Sequence, residues 1–100
     1  MLLNQTPEFS KWMQKLRDFR AKAHVLSRLT QFEKGNLGDF KSVGNGVLES
    51  RINYGPGYRL YFAKEGNAIV ILLIGGEKST QSRDIVRAKQ IWQGIKHEGK

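Results

Sequence analysis

Cysteine is absent from the 100-residue sequence, which excludes disulfides, thiolate metal sites and a cysteine nucleophile, and points to a cytoplasmic setting. Histidine is scarce. His24 and His97 are too few, beside nine scattered carboxylates, for a multi-ligand metal centre, and no metal or other cofactor is expected. Long hydrophobic runs are missing as well: the longest, Ala68 to Ile74, falls far short of the roughly 20 residues that cross a bilayer. The N-terminus lacks the charged-then-apolar layout of a signal peptide, so no membrane partner is expected. Acidic residues are outnumbered by basic ones, 9 to 17, which leaves a formal net charge of +8. A field of that sign on so small a body attracts nucleic acid, anionic membrane or an acidic protein.

What is present is enough for one domain over residues 1–100. Hydrophobic residues make up 39% and are spread along the chain, so a modest core can form, which a disordered basic tail could not do. Thr6 is a good helix N-cap, Pro7 suits the first helical position and Glu8 the positive end of the dipole. Phe9, Trp12, Met13 and Leu16 then recur at helical spacing. Asp18 caps a second helix to Lys34 that buries Ala21, Val25, Leu29 and Phe32 and leaves Arg20, Lys22, Arg28 and Lys34 in water. Gly35-Asn36 stops it, and the turn-rich stretch Gly35 to Gly46 reads as an ordered loop.

Three strands follow. Val47 to Tyr54 sets Leu48, Ser50, Ile52 and Tyr54 on one side and Val47, Glu49, Arg51 and Asn53 on the other. Gly55-Pro56-Gly57 turns the chain into Tyr58 to Lys64, and Ala68 to Ile74 is apolar on both sides, as expected at the sheet centre or under a covering helix. Gly75-Gly76 reads as a strand break, after which Ser79 or Thr80 caps a last helix carrying Ile85, Ala88, Ile91, Trp92 and Ile95. A short strand at Leu2 to Gln5 joins the sheet edge. The class is α+β: an N-terminal helical hairpin packed on a three- to four-stranded antiparallel sheet, with a C-terminal helix. Gly75-Gly76-Glu77-Lys78-Ser79 imitates the end of a phosphate loop, but the earlier glycine is missing at the required spacing.

Alternation places Glu49 and Arg51 on the side that Arg59 and Tyr61 share, with Lys78 emerging where the third strand ends. Such a cluster suits an anion, or it is a solvated, ion-paired sheet face. Metal-free cleavage of RNA by the 2′-OH needs a base, positive charge on the phosphorane and an acid for the leaving oxygen. Glu49 is the acid placed to act as base, Arg51, Arg59 and Lys78 supply charge, and Tyr61 or Tyr54 can stack a base or donate a proton. Lys41 and Asn53 join Tyr54 and Tyr61 as RNA-binding candidates. His24 and His97 receive no role, and Trp12 and Trp92 are packing residues.

The run Gly35-Asn36, Gly38-Asp39, Lys41, Val43-Gly44, Gly46-Val47, Glu49, Arg51-Ile52, Tyr54-Gly55-Pro56-Gly57-Tyr58-Arg59 and Tyr61-Phe62 resembles the RelE/ParE toxin superfamily, in its HigB-like addiction module killer branch. Leu72-Leu73, Gly75-Gly76, Lys78-Ser79-Thr80-Gln81 and Asp84-Ile85 are similar to the same branch, as are Thr6, Phe9, Trp12 and Leu16. The resemblance implies a RelE-like fold and the toxin of a type II toxin–antitoxin pair, neutralised by a small antitoxin that often carries a helix-turn-helix, in a hetero-oligomer. It implies a metal-independent endoribonuclease, an mRNA interferase acting at the ribosome, with the family's basic positions falling on Arg51, Arg59 and Lys78. A ParE-like inhibitor of DNA gyrase and a non-catalytic RNA-binding module are the alternatives. Two positions depart from the pattern: Glu49 stands where the family has a lysine, and the C-terminal tyrosine of some RelE proteins falls near Asp84 or Ile85. Ser50 stands where leucine is expected, and an unpaired hydroxyl there would cost about 1–3 kcal/mol and mark a weakened toxin.

Overall fold

The first two helices each begin where a side chain takes over the work of a missing backbone acceptor. The structure, a computed structural model that describes residues 1–98, opens with strand β1 (Leu2–Gln5) and helix α1 (Pro7–Lys15). Thr6 Oγ1 accepts from the Phe9 N–H at 3.0 Å and donates to the Leu73 carbonyl at 2.6 Å, so the cap that starts α1 also ties it to the sheet. Asp18 caps helix α2 (Phe19–Glu33) by accepting from the N–H groups of Arg20 and Ala21. Ala21, Val25, Leu29 and Phe32 form its buried stripe, as their spacing requires.

The sheet is larger than the sequence suggests. It holds five strands in the order β1-β5-β4-β3-β2, with β2 Phe40–Gly44, β3 Val47–Ile52, β4 Tyr58–Glu65 and β5 Ile69–Glu77. β2 lies in the stretch expected to be a loop. Its exposed Lys41 and Ser42 give no apolar alternation, and pairing with β3, not local propensity, makes it a strand. β1 runs parallel to β5, so the sheet is mixed, whereas β2 through β5 are antiparallel.

Gly75 and Gly76 do not break β5. They continue it, because larger residues would not fit: a Cβ on Gly75 would overlap the Trp12 indole, and one on Gly76 would overlap the Asp84 carboxylate. A 3-10 turn, Lys78–Thr80, leads into helix α3 (Gln81–Glu98). The two glycines therefore admit a helix on each face.

The core is double. On one face, α1 and α2 pack Phe9, Val25 and Phe32 against Leu60, Phe62, Val70 and Leu72. On the other, α3 packs Ala88, Ile91 and Trp92 against Val47, Tyr61, Ile71 and Leu73. No helix among the described residues is long and apolar enough to cross a membrane.

Candidate nucleic-acid interface

β2 stops short of β3. Its last pairing at that end is Phe40 with Ser50, so among the described residues no strand lies beside the edge of β3 beyond Ser50. Arg28 of α2 fills part of the gap. Its Nη1 donates to the Ser50 hydroxyl at 2.6 Å and to the Arg51 carbonyl at 2.8 Å. Ser50 is fully buried, but its hydroxyl is paired with a charged donor. The expectation of a costly orphan hydroxyl is thus corrected: the helix arginine reaches it across the layer.

A cleft of about 490 Å³ opens at this edge, bounded by Arg28, Lys41, Arg51 and Asn53, with Asp39 and Phe40 on the rim of β2. Glu49 forms its floor. The residue is 1% exposed, and both carboxylate oxygens are engaged. Oε1 accepts from Arg51 Nε at 3.0 Å and lies 3.8 Å from Lys41 Nζ. Oε2 accepts from the Tyr61 hydroxyl at 3.1 Å and from Gln81 Nε2 at 2.8 Å.

Burial acts to raise the Glu49 pKa, but the hydrogen bonds from Gln81, Arg51 and Tyr61 outweigh it and hold the carboxyl below its ordinary value. A carboxylate so saturated with donors is a poor proton acceptor. It is well suited to fixing Arg51, whose side chain remains 47% exposed at the cleft.

Tyr61 is fully buried, so its ring cannot serve as a stacking platform. Burial first, and then the Glu49 charge, pushes its hydroxyl well above the ordinary phenol range. Sequence alternation set Tyr61 on the correct face and missed that α3 covers it. Arg59 faces Arg51 directly across the β3–β4 ladder, as the alternation implied, but is itself 6% exposed. Among the described residues, its Nε has no hydrogen-bond partner.

Lys78 and Tyr54 lie apart from the cleft. Lys78 is exposed at the start of the 3-10 turn, where its N–H donates to the Gly57 carbonyl at 2.8 Å. Tyr54 packs on the opposite core, its ring 4.5 Å from that of His24. Of the expected site residues, Lys41, Glu49, Arg51 and Asn53 meet at the cleft. Arg28, Asp39, Phe40 and Gln81 were missed. Arg28 carries no local signal, because a helix periodicity that marks it as solvent-facing says nothing of a strand edge arriving from 22 residues away.

A Haemophilus influenzae protein described as uncharacterized is 45% identical to this chain over 93 residues, which span 93% of this chain and 94% of the relative. No family model matches the sequence.

Proposed function

The chain belongs to the same family as this Haemophilus influenzae protein, and we propose that it is the toxin of a type II toxin–antitoxin pair, a RelE/ParE-like mRNA interferase of the HigB-like branch that cleaves mRNA on the ribosome. The observation that carries the reading is the convergence of Arg28, Lys41 and Arg51 on one cleft, with Arg59 in register behind Arg51. Two N-terminal helices on one face of the sheet and one C-terminal helix on the other support a RelE-like arrangement.

In this reading the cleft binds the RNA backbone through charge-assisted hydrogen bonds. Arg51 donates to the scissile phosphate and stabilises the charge that builds when the 2′-oxygen attacks it to form a 2′,3′-cyclic phosphate and the 5′-oxygen leaves, the 2′-hydroxyl proton passing to water and the 5′-oxygen taking a proton from water. Glu49 does not take the proton. It acts as a positioning residue that holds Arg51 and Lys41 in place. Lys78 contacts the RNA backbone away from the cleft. The partners are the ribosome with its mRNA and, for neutralisation, an antitoxin whose acidic segment covers the cationic edge. The site of action is the cytoplasm.

Primer extension on a defined mRNA, with and without translating ribosomes, tests the reading. The better control is Arg51→Ala, because Arg51 is half-exposed, whereas loss of the buried Arg59 confounds activity with folding. Cuts within codons that require both ribosomes and Arg51 support it. Intact mRNA with continuing translation refutes it and favours gyrase inhibition or simple RNA binding.

A further inference from the structure

The cleft at the β2–β3 edge holds one large apolar ring and one free carboxylate in cationic surroundings, which phosphate binding alone does not need. Phe40 is 43% exposed and lines the cleft. It meets Phe62 in a T-shaped contact, with ring centroids 5.9 Å apart at an interplanar angle of 68°. Asp39, the preceding residue, is exposed at the cleft, and no ion pair or side-chain hydrogen bond engages its carboxylate among the described residues. Glu49, the other carboxylate of the cleft, has both oxygens occupied.

We infer that this cleft is a single-nucleotide subsite that selects guanine, with the base stacked on Phe40, its Watson–Crick edge read by Asp39 and its phosphate held by Arg28, Lys41 and Arg51. The inference rests on the proposed reading of this edge as an RNA-binding surface and specifies the nucleotide that it takes. A carboxylate accepts two hydrogen bonds side by side, and guanine offers two adjacent donors, N1–H and the N2 amino group. Adenine and cytosine present a ring-nitrogen acceptor at the matching position, and uracil a single N–H flanked by two carbonyls. Each of these leaves a lone pair facing the carboxylate or one of its oxygens unmatched.

The phosphate end is preorganised. Both acceptors of Arg28 Nη1, the Ser50 hydroxyl and the Arg51 carbonyl, belong to β3, and Ser50 cannot move because it is fully buried. Ser50 is therefore a positioning residue for the subsite. The cleft volume of about 490 Å³ falls within the range of roughly 300–1,000 Å³ typical of small-molecule sites.

Titration of the purified 100-residue chain with 5′-GMP, 5′-AMP, 5′-CMP and 5′-UMP, followed by amide chemical shifts and calorimetry, tests the inference. GMP is expected to bind about tenfold tighter than the other three, with shifts at residues 38–41 and 49–53. Asp39→Asn, at an exposed position that leaves the fold intact, abolishes the preference while weak binding of all four persists. Phe40→Ala weakens all four alike. Ser50→Ala weakens all four but keeps the order. Equal affinity of the four nucleotides for the wild type, shifts confined to another surface, or a guanine preference that survives Asp39→Asn overturns the inference. Failure here is separable from failure of the proposed function. Ribosome-dependent cutting with no preference for guanine leaves the interferase standing without the subsite, whereas selective GMP binding with intact mRNA leaves the subsite without the interferase.

Discussion

Glu49 shows how a residue chosen for one role by its type is given another by its neighbours. Its place opposite Tyr61 and beside Arg51 was legible, because strand alternation fixes which side chains share a face. Its chemistry was not, because Gln81 comes from α3, 32 residues away, and closes the ring of donors. A group whose folded pKa is depressed contributes stability above its unfolded value and loses it as pH falls through the folded value. Wild type is therefore expected to lose stability on acidification below about pH 4, the ordinary carboxylate range. Glu49→Gln keeps the shape and removes the charge. Removing a hydrogen-bonded buried charge costs about 1.5–3 kcal/mol, so that is the expected deficit at neutral pH. The deficit shrinks toward zero in acid as the wild-type carboxyl protonates. Urea denaturation at a series of pH values reads both, and a deficit that stays constant down to pH values well below the carboxylate range refutes the account.

Elements were legible where local chemistry makes them. Thr6 and Asp18 cap the helices predicted from them, and the apolar stripes of α1 and α2 lie where their spacing sets them. β2 and the second half of β5 were not, for opposite reasons. β2 is a strand by virtue of its partner, and Gly75-Gly76 looks like punctuation until the packing of Trp12 and Asp84 above and below it is known. Two substitutions separate these meanings of glycine. Gly76→Ala forces the Asp84 carboxylate, which accepts from Thr80, away from the strand and lifts the start of α3. The expected cost is about 1–3 kcal/mol, the range for overpacking a tight site. Gly94→Ala lies within α3, where an added Cβ meets nothing within 4 Å. It is expected to stabilise by about 0.5–1 kcal/mol through helix propensity alone. Thermal unfolding of the pair reads the contrast, and a Gly76→Ala protein as stable as wild type refutes the close approach.

At the scale of the whole molecule the charge of +8 is distributed to a purpose only if it meets polyanion at a defined place. A diffuse positive field would make RNA affinity depend on salt in proportion to all the basic residues near the strand, and no single one would matter much. A cleft with three cations predicts something narrower. Each phosphate neutralised on a single strand contributes about 0.7 to the slope of log affinity against log salt, so the one phosphate held by Arg28, Lys41 and Arg51 gives a slope near −0.7. Arg51→Ala, which takes one of the three cations away from that phosphate, is expected to make it shallower. Lys64→Ala, on an exposed residue at the far end of β4, is expected to leave it unchanged. Fluorescence anisotropy with a short single-stranded RNA over a range of salt measures all three. A steep slope, insensitive to either substitution, would place the binding in the field of the whole protein and remove the cleft from the argument. A shallow slope that flattens only with Arg51→Ala would tie the molecule's excess charge to one edge of its sheet, because the remaining basic residues would then serve to draw RNA in without holding it.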